Sequence, residues 1–161
     1  MRHRNKLASA IANSELLSLF GLGGSGQIAE EAALKFFSLG FRTFVFAYLS
    51  YRLAAAKLVT PRDVTIAVTY SGNQKVVAEA LHTAKGLDAL SAITSFEQSL
   101  ISKSADVVLL ISVPLEILRG QTGAHRVAQI AVLDALAILA QEIKARDVVR
   151  RKLQTIKRVS A

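Results

Sequence analysis

Leu16–Gly26 reads LLSLFGLGGSG, an apolar run that closes in a cluster of glycines. An apolar run of this length predicts a buried β-strand over 16–22. The stretch that follows, Ser25–Leu39, has apolar residues at helical spacing and stops at Gly40, so it predicts an α-helix. The order of strand, glycine loop and helix is typical of the first unit of an α/β fold.

The glycine loop satisfies the pattern G-x-G-x-x-G from Gly21 to Gly26. Glycines let a backbone approach an anion closely, and the helix behind them offers free N–H groups and the positive end of its dipole. Three interpretations are open: a structural turn, a dinucleotide site, and a phosphate or phosphosugar site. A dinucleotide site requires an acid about 20 residues further on, and none stands between Phe46 and Asp63. Together with the hydroxyl of Ser25, this favours phosphate or phosphosugar.

A second loop of the same kind follows the apolar strand predicted over Val64–Thr69. Residues 69–74 read TYSGNQ and precede a helix predicted over Val76–Lys85. Small hydroxyls, a glycine and a helix start again suit an anion. Ser71 and Asn73 could equally be helix caps, and one residue can cap and bind at once.

The rest of the chain continues the alternation of strands and helices. Further strands are predicted over 43–47, 89–94 and 106–112, helices over 50–59 and 122–146, and a helical turn over 99–103, while 148–158 either continues the last helix or forms a separate one. Nearly all-apolar strands that alternate with helices predict a five-stranded parallel sheet in a three-layer α/β/α sandwich. Ligands of such sheets bind at the carboxyl ends of the strands.

Composition limits the other possibilities. The 161 residues, 52% hydrophobic and 20% charged, suit one globular domain, with a core over about 14–143 and basic helical tails. The absence of cysteine excludes disulfides and thiolate catalysis. His3, His82 and His125 stand far apart, so no metal site or cofactor is expected. We expect no membrane span and a cytoplasmic protein.

The net charge of +8 is concentrated at the two ends of the sequence. Charge runs of this kind usually face solvent. A surface near nucleic acid is the alternative.

The two loops resemble those of the sugar isomerase (SIS) domains. Gly21–Ser25 looks like the first SIS loop, and Thr69–Asn73 looks like the S-x-S-G loop that binds the sugar phosphate. Arg126–Leu136 is similar to the last long helix of the RpiR-type, sugar-phosphate-responsive transcription regulators. The resemblance implies a flavodoxin-like strand order, 2-1-3-4-5.

The resemblance also implies which residues bind a phosphosugar. Thr69 replaces the usual first serine of the loop and keeps a hydroxyl, while Gln74 stands where threonine is common. The ligand-binding residues expected in this way are Gly23, Gly24, Ser25, Gly26, Thr69, Ser71, Gly72, Asn73, Gln74 and Glu116.

Two functions follow from the resemblance. The first is phosphosugar sensing, as the effector domain of an RpiR-type regulator that would bind DNA only through a helix-turn-helix domain, for which no room is seen ahead of Leu16. The alternative is a stand-alone aldose–ketose isomerase, in which Glu116 and His125 would be base and acid. A dimerisation module with a decayed site is a third reading. We expect binding without turnover.

The last predicted helix also bears on assembly. It carries apolar residues on two faces, and a helix that covers a sheet needs only one. We therefore expect a homodimer or a higher assembly. The residues expected on one face are Val127, Ile130, Leu133 and Ala137, and those on the other are Val132, Leu136, Leu139 and Ile143.

Overall fold

The structure, a computed structural model, describes residues 2–46, 59–85, 90–111 and 123–159. In chain order the elements are α1 (Arg2–Asn13), β1 (Leu17–Phe20), α2 (Gly24–Ser38), β2 (Thr43–Phe46), β3 (Val64–Val68), α3 (Lys75–Lys85), β4 (Leu90–Ser95), α4 (Leu100–Ser104), β5 (Val107–Leu110) and α5 (Ala124–Val159). The helix predicted over 50–59 falls, apart from Val59, outside the described residues.

The described strands pair side by side in one sheet. Five strands form it, in the order β2-β1-β3-β4-β5, and every pair is parallel. In the register, Leu17 of β1 lies opposite Thr43 of β2 and Val64 of β3. The expected α/β fold with a parallel sheet is therefore confirmed.

Side chains alternate between the two faces of the sheet along each strand, and helices cover both faces. On one face Leu17, Leu19 and Ile66 pack with α1, α2 and α5 in the largest cluster of buried residues. On the other face Ala67 packs with α3 and α4, through residues such as Leu81 and Ile101. Strands buried from both sides explain why β1 and β3 read as continuous apolar runs.

Helix α1 corrects the expected lower limit of the core. We expected the core to begin near residue 14, with a basic tail before it. Leu7, Ala8 and Ile11 are instead at most 1% exposed, and α1 packs against α5 and β5. Its basic residues Arg4 and Lys6 face outward, and their charge is what made the segment resemble a tail.

Helix α5 continues without a break through the basic C-terminal segment. Its 36 residues correspond to a length of about 54 Å. Leu133, Leu136 and Ala137 are at most 2% exposed, whereas Val127 is 67% exposed. Of the expected face that joins Val127 to Leu133 and Ala137, only the second half therefore meets the core.

The C-terminal end of α2 is joined to α5. Gly40, at φ +81°, occupies the left-handed region and ends the turn after the helix. The ammonium group of Lys144 donates a 2.9 Å hydrogen bond to the carbonyl of Gly40 and lies 4.5 Å from the centre of the Phe41 ring. A cation at a helix C-terminus also meets the negative end of the dipole.

None of the helices in the described part of the chain is both long and apolar enough to cross a bilayer.

Two buried hydroxyls on adjacent strands have no hydrogen-bond partner among the described residues. Ser18 of β1 and Thr65 of β3 lie opposite each other and are 1% and 0% exposed. Replacing the Thr65 hydroxyl by a methyl in Thr65→Val should raise the free energy of unfolding by about 1 kcal/mol, since an unpaired polar group leaves the core. Urea denaturation measures this change.

Thr69 provides the matched control, because it is equally buried but its hydroxyl accepts a hydrogen bond from the Gly72 amide at 3.1 Å. Thr69→Val should lower stability by about 1–3 kcal/mol, since it leaves that amide unpaired. A loss of stability in Thr65→Val would contradict the interpretation.

Candidate functional site

The first loop follows β1 at the carboxyl edge of the sheet. A Cβ on Gly21 would lie 2.4 Å from the carbonyl oxygen of Ser25, so no side chain fits there. Gly23, at φ +54°, adopts the left-handed conformation that glycine tolerates best. The loop therefore needs glycine at both positions in order to turn directly into α2.

Most amides in the first turn of α2 already donate hydrogen bonds to nearby backbone carbonyls. Ser25 donates to the carbonyl of Leu22 at 3.1 Å, and Gly26 donates to that of Gly23 at 2.9 Å. Within the described residues, the Gly24 amide at the tip makes no such bond. The half-buried Ser25 stands beside it, so a donor and a hydroxyl are both placed at the helix start.

The second loop follows β3, at the same edge of the sheet. Its own hydroxyls hold its backbone: Thr69 accepts from the Gly72 amide at 3.1 Å, and Ser71 accepts from the Asn73 amide at 3.3 Å. Ser71 is exposed, so its O–H group can still donate outward. Ser71 thus acts as a loop cap and offers a donor for an anion, as the sequence allowed.

Helix α4 fixes the second loop from the side. The amide of Ile101 donates to the carbonyl of Gly72 at 3.0 Å, and the amide of Leu100 donates to the side-chain oxygen of Asn73 at 3.3 Å. Asn73, expected as a ligand-binding residue, is therefore also a tether. The amides of Lys75 and Val76, in the first turn of α3, have no partner among the described residues.

The first turns of α5 reach the second loop from the opposite face of the sheet. The side-chain nitrogen of Gln129 donates a 3.0 Å hydrogen bond to the backbone carbonyl of Thr69. Gln129 is 1% and Thr69 0% exposed, so the contact is shielded from water. The ring of His125 lies 4.3 Å from that of Tyr70.

The same turns of α5 reach the first loop. The guanidinium of Arg126 hydrogen-bonds the side-chain oxygen of Gln27, and it comes within 3.6 Å of the position a Cβ on Gly24 would take. Sequence reasoning missed Arg126 and Gln129 as site residues. Both lie in the segment that resembled a family helix, and a lone cation at the start of a helix was the available signal.

The electrostatics of the site are positive. Helices α2, α3 and α5 all begin there, and helix N-termini attract anions. The lining segments 21–27, 69–75 and 123–129 contain Lys75 and Arg126 but no Asp or Glu. Within the described residues, no group of three His, Asp or Glu side chains could hold a metal ion.

Buried polar atoms without a partner concentrate at this site. Five such side-chain atoms occur among the described residues, and three belong to the lining segments: Gln74 Oε1, His125 Nδ1 and Gln129 Oε1. A buried unpaired acceptor costs about 1–3 kcal/mol. Natural structures keep such groups mainly where function requires them.

The residues expected to bind ligand thus fall into two groups. Those of 23–26 and 69–74 are brought to one edge of the sheet by the parallel pairing of β1 and β3. Glu116 lies outside the described residues, so its position relative to His125 stays a prediction.

Known proteins share this chain's sequence and fold. An uncharacterised HTH-type transcriptional regulator of Caldanaerobacter subterraneus is 34% identical over 146 residues, 90% of this chain and 52% of the relative. The HTH-type transcriptional regulator RpiR of Escherichia coli K12 is 30% identical over 126 residues, 78% of this chain and 43% of the relative. The chain thus spans about half the length of these relatives.

A solved structure with the same fold is that of the Vibrio vulnificus NanR protein complexed with ManNAc-6P. It covers 98% of this chain with a TM-score of 0.82 at 19% identity, and the match takes up 61% of that protein. The family model of the SIS domain matches residues 10–139. With both expected loops and the first turns of the long helix inside that match, the chain belongs to the SIS domain family.

Proposed function

We propose that this chain binds a sugar phosphate and forms the effector-sensing domain of an RpiR-type transcription regulator. The observation that carries the proposal is the meeting of three helix N-termini at the ends of β1 and β3, with Lys75 and Arg126 beside them and no carboxylate in the lining segments. An anionic group suits that environment, and phosphate is the anion that such glycine loops most often accept.

The roles of the residues differ within the site. Ser71 and the amides of Lys75 and Val76 would hold the phosphate, since they offer donors that no other described residue uses. Thr69, Gly72 and the Asn73 side chain would keep the loop in shape. The first loop, residues 23–26, would border the sugar from the side of β1, and Gln74 from the start of α3.

The regulator assignment is supported by the relatives. Two of them are HTH-type transcriptional regulators that this chain matches over about half of their length. DNA would then be bound by a helix-turn-helix domain outside residues 1–161. The exposed bases Arg4, Lys6 and Arg150 would face solvent or approach DNA in such a protein, which would act in the cytoplasm.

The geometry around His125 favours sensing over isomerisation. Its ring packs on Tyr70 at 4.3 Å, and its buried Nδ1 has no partner within the part of the chain that the structure describes. A general acid must move a proton to and from a substrate, so a ring held in this way suits binding better than turnover. Isomerisation by Glu116 with His125 is the second candidate function.

The outer face of α5 supports a homodimer. Val127 and Ile138 are 67% and 48% exposed there, and on the neighbouring α2 Leu34 and Phe37 are 65% and 67% exposed. Since α2 and α5 pack against each other, we expect these side chains to contribute to one apolar surface. A second copy of the chain, related by a twofold axis, would cover it.

The phosphate assignment predicts that sugar phosphates stabilise the protein and that the free sugars do not. At a concentration one hundred times the dissociation constant, a bound phosphosugar should raise the free energy of unfolding by about 2.7 kcal/mol. Thermal unfolding with ManNAc-6P, glucose 6-phosphate and arabinose 5-phosphate, each beside its unphosphorylated sugar, measures this. Equal effects of a sugar and its phosphate would exclude a phosphate site.

Ser71→Ala should weaken binding of the best phosphosugar by about 1.5–3 kcal/mol, as expected for a lost hydrogen bond to a charged group. Ser38→Ala is the matched control, because Ser38 is also exposed and only donates to the carbonyl of Lys35. Titration calorimetry should return wild-type affinity for the control. Unchanged affinity in Ser71→Ala would leave Ser71 as a cap only.

The sensor assignment predicts no turnover of the bound phosphosugar. We expect neither aldose–ketose exchange nor uptake of solvent deuterium at the carbon beside the carbonyl, because a reversible proton transfer needs a tuned base and acid within reach. NMR in D₂O follows both. Steady exchange in the wild type that Glu116→Gln abolishes would establish the isomerase instead.

The dimer predicts a mass near twice 17.3 kDa in light scattering at micromolar concentration. Ile138→Asp should return the monomer mass, because it buries a charge in the shared surface. Leu100→Asp is the control: Leu100 is 43% exposed but lies on the opposite face of the sheet. A monomeric wild type, or a dimeric Ile138→Asp, contradicts this surface.

A further inference from the structure

Three aromatic rings stand together beside the second loop. Tyr70, the second residue of that loop, packs edge-to-face on Phe96, with 5.2 Å between ring centres and 69° between the planes. Its other neighbour is His125, at 4.3 Å and 43°. The three residues come from separate parts of the chain and meet only in the fold. We refer to Tyr70, Phe96 and His125 as the aromatic wall.

The wall belongs to the carboxyl edge of the sheet. Tyr70 stands between Thr69 and Ser71 in the loop that follows β3, and Phe96 comes directly after the last residue of β4, the strand beside β3. His125 is in the first turn of α5. All three therefore flank the place where the proposed phosphate would bind.

The solvent exposure of the rings in the aromatic wall indicates a ligand site. Phe96 is 44% exposed although it packs on Tyr70, and Tyr70 and His125 are half-buried. Rings presented to solvent beside a polar loop are typical of small-molecule sites, where apolar surface supplies affinity and a few polar groups fix orientation. In the two loops, residues 21–26 and 69–74, only Leu22 and Tyr70 have large apolar side chains that could contribute to such a surface.

We propose that the aromatic wall packs against the apolar C–H face of a closed sugar ring, so that the site selects cyclic over open-chain sugar phosphates. This inference rests on the proposed function, since the phosphate places the sugar beside the wall. A pyranose chair presents a rigid face of C–H groups that a ring can cover. An open chain of the same composition presents its hydroxyls on all sides and loses rotational freedom when it is bound.

The size of the effect follows from the area covered. Removing about 55 Å² of apolar surface from water corresponds to about a tenfold gain in affinity. A sugar ring that covers part of the exposed face of Phe96 reaches that area, so we expect cyclic ligands to bind about tenfold more tightly than open-chain ones.

The test compares ligands that cannot interconvert. 1,5-Anhydroglucitol 6-phosphate is locked as a ring, and glucitol 6-phosphate is locked as a chain; the corresponding manno and galacto pairs cover the stereochemistry. Titration calorimetry of the full chain with each pair, and with inorganic phosphate, gives the ratio of cyclic to open-chain affinity. In the wild type this ratio should be about ten for at least one pair.

Phe96→Ala should bring that ratio close to one while inorganic phosphate binds as in the wild type. Tyr70→Leu, which keeps an apolar side chain in the loop, should reduce the ratio as well and serves if Phe96→Ala does not fold. Phe44→Ala is the control, because Phe44 is 55% exposed on the edge strand β2 and should leave the ratio unchanged.

The outcomes separate the two proposals. If neither inorganic phosphate nor any phosphorylated probe binds, the proposed phosphosugar site is wrong. If the probes bind but every pair has equal affinities, or if the ratio survives in Phe96→Ala and Tyr70→Leu, the phosphate site stands and the aromatic wall does not select ring forms. Tighter binding of the open-chain probes would also overturn the inference.

Discussion

The parallel pairing of β1 with β3 is the constraint on which the site depends. Leu17 lies opposite Val64 and Phe20 opposite Ala67, so the two strands end together and their loops emerge side by side. An antiparallel pair would send the loops to opposite edges of the sheet. The parallel arrangement requires both faces to be covered by helices, and each crossover helix then starts at the same edge as the loops. The anion-attracting helix ends are thus a consequence of the sheet.

The buried hydrogen bond from Gln129 to the Thr69 carbonyl joins this edge to the longest helix of the chain. It has two effects. It holds the strand end from which the second loop turns, and it sets the first turns of α5 so that Arg126 reaches the first loop and His125 reaches Tyr70. One side of α5 is therefore part of the site, while the other side carries exposed apolar residues such as Val127.

Some groups of the loops hold the backbone and others offer donors to a ligand, and this difference has a physical cause. A loop that turns sharply after a strand leaves its own amides unpaired. In the second loop the hydroxyls of Thr69 and Ser71 accept from loop amides, and the Ile101 amide of α4 donates to the Gly72 carbonyl. Among the described residues, the amides of the first turn of α3 and the outward side of Ser71 keep unused donors. The paired groups hold the loop in shape, and the donors at the start of α3 are available to an anion.

The sequence by itself determined the fold class, the order of the elements and the two loops, because apolar runs, glycines and helical spacing are local signals. It predicted Ser71 and Gly23 as ligand-binding residues, and it left open whether 148–158 belongs to the long helix. The prediction of a basic tail in place of α1 was wrong. A segment with both basic and apolar residues shows which side is buried only when the helix that packs against it is known. The tertiary structure alone decided that Gln129 holds Thr69, that Arg126 lies against Gly24, and that Tyr70, Phe96 and His125 meet. These contacts join residues that lie from 26 to 102 positions apart in the sequence. The periodicity of a sequence is a local property, so it does not predict which distant segments the sheet brings together.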